Sequence, residues 1–163
     1  MKVKDIMIRE VICISPDEKV TEAAKIIHEH NFNGLPIIDD NKKVLGMVTE
    51  MDLLTNDSFG MHIPSFAKLI SDFNVLKMVK GEEKRNFESI VNADVQSIMN
   101  KNFISVSPDT PLTDLISIFN EQKVNPIPVV DEKKTLQGIV ARSDIIKLIS
   151  NFSEVELDFL RNN

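Results

Sequence analysis

The sequence predicts a mixed α/β fold of the α+β kind, in which one β-α-β-β-α unit occurs twice, packed sheet to sheet and joined by an inserted helical linker. Three observations predict it. Sliding the chain on itself by 92 residues, the distance from Ile6 to Ile98, superposes Ile6-Met7 on Ile98-Met99 and Ser15-Pro16-Asp17 on Ser107-Pro108-Asp109. At the same shift Pro36 meets Pro128, Asp39 meets Asp131, Gly46 meets Gly138 and Asp52 meets Asp144, and one register holds from Val3 to about Leu54. Each copy then gives the same order of elements, and a unit of roughly 50 residues buries too little apolar surface to stand comfortably alone. Residues 1–54 form the first repeat, 55–94 the helical insertion, 95–150 the second repeat and 151–163 a helical tail.

The elements follow in order. Val11 to Ser15 and Phe103 to Ser107 are short, β-favouring runs that stop at Ser-Pro, so each is predicted as a strand. Val20, Ala23, Ala24 and Ile27 fall at helical spacing, and Leu112, Leu115, Ile116 and Phe119 repeat it. Pro111 suits a first helical position, which makes Thr110 the expected N-cap; by register the first helix begins near Glu18, although Ser15-Pro16-Asp17-Glu18 also has the form of a capping box. Leu35–Ile38 and Ile127–Val130 are strands, each with Pro near its start. After the acidic, lysine-rich turns at 39–43 and 131–134, Val44–Thr49 and Leu136–Ala141 return as hairpin partners. A closing helix starts at Glu50 in one copy and Arg142 in the other. Between the copies, Phe66, Leu69, Ile70 and Phe73 predict a helix over 64–79; in the tail, Ser153 and Glu156 form a capping box before Val155, Phe159 and Leu160. Both helices pack on their own domain, or the inserted one contacts a second subunit or a target protein.

Composition narrows the function classes. Lys and Arg number 19 against 25 Asp and Glu, a net charge of -6, whose field repels a phosphate-rich partner and argues against nucleic acid. The single cysteine, Cys13, allows no internal disulfide and fits a reducing compartment. The N-terminus lacks the apolar core of a signal peptide, and no run approaches the ~20 apolar residues of a membrane helix. A cytoplasmic protein with no membrane insertion is expected. His28 and His30 lie two apart on a helix and face different ways, His62 stands alone, and Cys13 reads as a small core residue. No phosphate loop, nucleophile elbow or metal-ligand spacing occurs, so no enzyme is expected.

The signatures Ser15-Pro16-Asp17, Leu35-Pro36-Ile37-Ile38-Asp39 and Gly46-x-Val48-Thr49-x-x-Asp52, with their second-copy counterparts, resemble the CBS domain; the likeness covers about two thirds of the chain. It implies a paired, pseudo-twofold module that binds an adenosine derivative in clefts between the repeats, forms a homodimer and regulates an attached or partner protein. The alternative is a dimerising, tethering module with no small-molecule ligand.

Spacing alone leaves two readings of Thr49-x-x-Asp52 open. It is an ordinary helix cap, and it is also a carboxylate placed where ribose hydroxyls could bind, with a hydroxyl three residues earlier for ribose or phosphate. The resemblance implies the ribose role for Asp52 and Asp144. In the second copy Ala141 replaces the hydroxyl, at an expected cost of about 1 kcal/mol of capping, and Ser143 is the substitute candidate. Carried over from the family, adenine contacts would come from Phe103, Ile104, Asn125 and Pro126 for the Asp52 cleft. The Asp144 cleft would use Val11, Ile12, Asn33 and Gly34. The four apolar residues read equally well as core. No basic residue precedes the Leu35-Pro36 or Ile127-Pro128 strands, and Arg9, Lys101 and Arg142 read as solvated. Among AMP, ADP, ATP and S-adenosylmethionine, this disfavours ATP and leaves AMP, S-adenosylmethionine or a similar lightly charged compound.

Overall fold

Two short hairpins, one per repeat, carry the buried apolar strands Gly34–Ile38 and Ile127–Val130. The structure is a computed structural model that describes residues 1–55, 85, 89 and 92–151. The helix expected over 64–79, the helical tail and His62 lie outside the described residues. The chain divides into two units, Ile12–Phe103 and Met1–Val11 together with Ile104–Asn163.

In the unit Ile12–Phe103, α1 (Val20–His30) precedes β1 (Gly34–Ile38), β2 (Val44–Thr49) and α2 (Glu50–Thr55). β1 and β2 pair antiparallel from Gly34↔Thr49 to Ile37↔Gly46, and a bulge after Ile37 brings Ile38 opposite Val44. α1 buries Val20, Ala23 and Ile27, the stripe its spacing predicts, against Leu35, Ile37 and Val48. Asn31 ends the helix in the left-handed region at φ 53°. The Asp39 carboxylate accepts the N–H groups of Asn41 and Lys43, both at 2.9 Å, and so closes the hairpin loop.

The other unit repeats this design with α3 (Leu112–Gln122), β3 (Ile127–Val130), β4 (Leu136–Val140) and α4 (Arg142–Ser150). β3 and β4 pair from Ile127↔Val140 to Val129↔Gly138, with the bulge again one residue before the loop. Asp131 accepts from Lys133 and Thr135 as Asp39 does from its own loop. Leu115 and Phe119 of α3 pack with Ile127, Val129 and Val140.

Three expectations change. The strands expected at Val11–Ser15 and Phe103–Ser107 shrink to single parallel bridges, Ile14 with Ile37 and Val106 with Val129. The prolines that follow, Pro16 and Pro108, have no N–H with which to continue a ladder. The helix does not start near Glu18 or with a Ser15 capping box, because Glu18 N–H bonds the Ser15 carbonyl in a turn and α1 begins at Val20. Nor is Thr110 the N-cap. Pro111 holds that place, and the Thr110 hydroxyl accepts the Ser107 N–H instead.

The residues before α1 and α3 are extended because a remote segment pairs with them. Lys19 bridges Asp94, and Pro111 bridges Lys2. The first helical N–H of α1, Val20, donates to the Ala93 carbonyl at 2.9 Å; that of α3, Leu112, donates to Met1 at 3.2 Å. A main-chain carbonyl thus satisfies an orphan donor where neither Lys19 nor Pro111 makes a side-chain cap. A short 3-10 turn follows in each segment, Val3–Asp5 and Val95–Ser97, burying Val3 and Val95. The segments then reach the hairpins. Ile8 exchanges two 2.9 Å bonds with Ile139, and Asn100 exchanges bonds of 2.8 and 3.1 Å with Met47. The segment that opens the first repeat therefore completes the second hairpin, and the segment that opens the second completes the first.

Gly46 and Gly138 permit this seating. A Cβ on Gly46 would stand 2.9 Å from Met99 Sδ and 3.0 Å from the Asn100 carbonyl oxygen; one on Gly138 would stand 2.8 Å from Met7 Sδ and 2.9 Å from the Ile8 oxygen. The thioethers can swing aside but the bonded carbonyls cannot. At the outer end of the first segment, Lys2 and Lys4 reach Asp109 at 2.9 and 2.8 Å, all three exposed. Hydrogen bonds from Lys4 and then Lys2 lower the Asp109 carboxyl from 3.8 to about 2. Because the folded value is the lower one, this pair supports the docked segment above the ordinary carboxylate range and loses its effect as pH falls toward 2.

Two measurements follow from this packing. Gly46→Ala and Gly138→Ala are each expected to cost about 1–3 kcal/mol in denaturant unfolding, with an unchanged cost of zero counting against the seating described. A carboxyl NMR titration is expected to place Asp109 near 2 in the wild type and to return it toward 3.8 when Lys2→Ala and Lys4→Ala are combined.

Candidate functional site

The candidate residues gather where β2 runs into α2 and β4 into α4. Thr49 ends β2 and Asp52 lies one turn on. The Asp52 Oδ2 accepts the Thr49 backbone N–H at 2.7 Å and the Thr49 hydroxyl at 2.6 Å. The Asp52 N–H points back at the Thr49 oxygen over a longer 3.4 Å. The capping box read from the spacing is therefore present, which orients the carboxylate without using all of it. Among the described residues Oδ1 has no hydrogen-bonded partner, and the side chain is half-buried.

In the second copy Asp144 Oδ2 accepts the Ala141 N–H, again at 2.7 Å. Ala141 supplies no hydroxyl, yet the helix start is not left short of a cap. The Asn125 side-chain oxygen accepts the Arg142 N–H at 3.0 Å, at the position where Glu50 N–H of the first copy bonds the Asn33 main-chain oxygen at 3.2 Å. The expected loss of capping at Ala141 is thereby offset from a strand-side residue. Ser143 is exposed and Asp144 half-buried.

The structure brings Asn33 and Gly34 to Thr49, Glu50 and Asp52 within one unit. Gly34 pairs with Thr49 in the hairpin, and the Asn33 amide lies 3.4 Å from Glu50 Oε2. In the other unit it brings Asn125, joined to Pro126 by a cis peptide bond, to Arg142 and Asp144. Each asparagine thus sits by the helix start of its own unit. Val11 and Ile104 belong to one unit, Ile12 and Phe103 to the other, so the chain passes between units at these residues. None of the four is fully buried, and Ile12 is 38% exposed, so the core reading does not describe them.

Arg142 is exposed, as expected, but it is also tethered. Its Nη2 donates to the Phe119 carbonyl at 2.6 Å, and its guanidinium carbon lies 5.8 Å from the centre of the buried Phe119 ring. Sequence reasoning missed this tether and the Asn33–Glu50 pair. The available signal was the identity of Asn33 and Asn125 at the repeat shift, beside the reversal from Glu50 to Arg142. Arg9 and Lys101 are exposed.

Other polar residues have local roles. His28 and His30 are exposed, and His30 stacks on Phe32 with ring centres 5.1 Å apart. The Cys13 thiol is half-buried rather than part of the closed core, and desolvation pushes it up to about 11, which keeps it protonated and a poor nucleophile at neutral pH. Among the described residues no three His, Cys, Asp or Glu side chains are grouped to hold a metal ion, and no helix is long and apolar enough to cross a membrane.

Comparison with known proteins agrees with this construction. The CBS domain family model matches residues 3–58 and 95–151. Uncharacterized protein MJ1404 of Methanocaldococcus jannaschii is 32% identical over 153 residues, which are 94% of this chain but 33% of that protein. Uncharacterized protein MJ1426 of the same organism is 24% identical over 155 residues and 91% of each chain is covered. The crystal structure of the CBS domain pair of protein MJ0100, in complex with 5′-methylthioadenosine and S-adenosyl-L-methionine, is similar with a TM-score of 0.64 at 26% identity, covering 92% of this chain and 96% of that one. With two matched repeats over most of its length, the chain belongs to the CBS domain family.

Proposed function

We propose that this chain is a regulatory module that binds an adenosine derivative, AMP, S-adenosylmethionine or a related compound, and passes the binding event to a partner protein. One observation carries the reading. In both copies the same carboxylate is held by its own backbone at 2.7 Å through Oδ2, while Oδ1 has no partner among the described residues. An oxygen with two unused lone pairs, fixed in advance, suits the vicinal hydroxyls of a ribose and costs little ordering on binding. Ala141 strengthens the argument, because Asp144 persists where no side-chain hydroxyl shares in a capping box. The MJ0100 pair, crystallised with two adenosine compounds, supports the ligand class.

Thr49 and Ser143 would then serve ribose or the 5′ substituent. Val11, Ile12, Phe103 and Ile104, with Asn33, Gly34, Asn125 and Pro126, would line the base. A ligand preferring one arrangement of the two units would shift their populations, which is the physical route by which a non-catalytic module signals. The second reading, a tethering and dimerising module without ligand, is favoured by a different observation: Ile146 and Ile149, one turn apart on α4, are 65% and 58% exposed.

Thermal melting with AMP, ADP, ATP, S-adenosylmethionine and NADH separates the two. A binding compound present at 100 times its Kd should stabilise the wild type by about 2.7 kcal/mol, and Asp52→Ala with Asp144→Ala should remove that gain. No shift with any compound would leave the tethering module standing. A shift that survives both substitutions would put the ligand elsewhere.

A further inference from the structure

We propose, resting on the adenosine reading above, that Glu50 and Arg142 make the two copies select ligands by charge. The Asp144 position takes an adenosine compound bearing a phosphate at its 5′ carbon; the Asp52 position takes one whose 5′ substituent is neutral or cationic.

Glu50 and Arg142 occupy the same place in the repeat, the first residue of the closing helix and two residues before the carboxylate. Their charges are opposite. The pair Glu50 and Asp52 carries two negative charges, whereas Arg142 and Asp144 cancel. The exposed Glu50 side chain has the Asn33 amide 3.4 Å from its Oε2, and Arg142 is tethered by the Phe119 carbonyl and ring. Phe119 is 2% exposed, so the guanidinium is anchored on a rigid part of the core.

A guanidinium has five N–H donors, and the Phe119 oxygen takes one of those on Arg142. Four remain to meet phosphate oxygens, and the fixed positive charge itself draws the phosphate. A ligand whose ribose sits on the carboxylate carries its 5′ group on the same ring, so this group lies in the field of the residue that precedes the carboxylate. A phosphate monoester there meets a cation beside Asp144 and a second anion beside Asp52. Asn33-Gly34 and Asn125-Pro126 directly precede the Leu35-Pro36 and Ile127-Pro128 strands with no charge, so Arg142 is the positive charge in the first turn of its own helix.

Titration calorimetry on the full chain tests this with AMP and 5′-methylthioadenosine, which share the nucleoside and differ in 5′ charge. Asp52→Asn leaves the Asp144 position to be read, and Asp144→Asn leaves the other. In the Asp52→Asn background, Arg142→Gln is expected to weaken AMP about tenfold while 5′-methylthioadenosine changes less than about twofold. Arg142→Lys keeps the charge while breaking the planar contact with Phe119, and should retain most of the preference for AMP; this distinguishes charge selection from a folding defect. In the Asp144→Asn background, Glu50→Gln is expected to tighten AMP about tenfold and leave 5′-methylthioadenosine alone. Equal changes in both ligands, or an unaltered ratio in both backgrounds, overturn charge selection while leaving adenosine binding intact. A wild-type chain that binds neither compound overturns the adenosine reading, and this inference with it.

Discussion

Two reciprocal main-chain pairs, Ile8 with Ile139 and Asn100 with Met47, tie the opening segment of each repeat to the hairpin of the other. Much else depends on them. A two-stranded hairpin has two exposed edges and little stability of its own. In each unit one edge is met by a single parallel residue, Ile14 or Val106, and the other by the exchanged segment. The same segments supply the carbonyls that begin α1 and α3 and bury Val3 and Val95 in the two cores. Glycine is required at 46 and 138 because the incoming backbone lies within bonding distance of the strand. The exchange also means that neither repeat, cut out as a contiguous stretch, carries its own complete unit.

The two helix starts reach one backbone arrangement by different means. Thr49 uses its hydroxyl and Asp52 answers it; Ala141 has none, and Asn125 reaches across from the β3 side to take the next N–H. Both solutions leave the carboxylate at the same 2.7 Å from the residue three before it. Strict conservation of geometry with altered side chains is what separates a positional requirement from a capping habit. The charge beside the carboxylate is where the copies diverge, from Glu50 to Arg142.

Much of the fold was legible in order and in register. The hairpins at 34–49 and 127–140 and the starts of α2 and α4 appeared where the short apolar runs, proline placement and the repeat register put them. These are local properties, decided by residues a few positions apart. The misjudged features share one cause. Helix starts at Val20 and Leu112 depend on Ala93 and Met1, and the supposed strands at 11–15 and 103–107 depend on which neighbour reaches them. Asp52 and Asp144 were visible from the repeat as a recurring acidic position, and their ribose role came from the family resemblance. The partners of Asn33, Asn125 and Arg142 were not visible.

By itself, then, the sequence determined that the chain is doubled, where its apolar strands and helical stripes fall, and that an acidic residue recurs at the start of each closing helix, because repetition and periodicity are written in neighbouring residues. Only the tertiary structure decided which half each opening segment completes, and that Asn125 rather than a hydroxyl caps α4. Only it tied Arg142 to Phe119. Those outcomes rest on hydrogen bonds between residues separated by 17 to more than 100 positions, for example Asn125 with Arg142 and Ile8 with Ile139, and no local pattern encodes which distant donor will meet which acceptor.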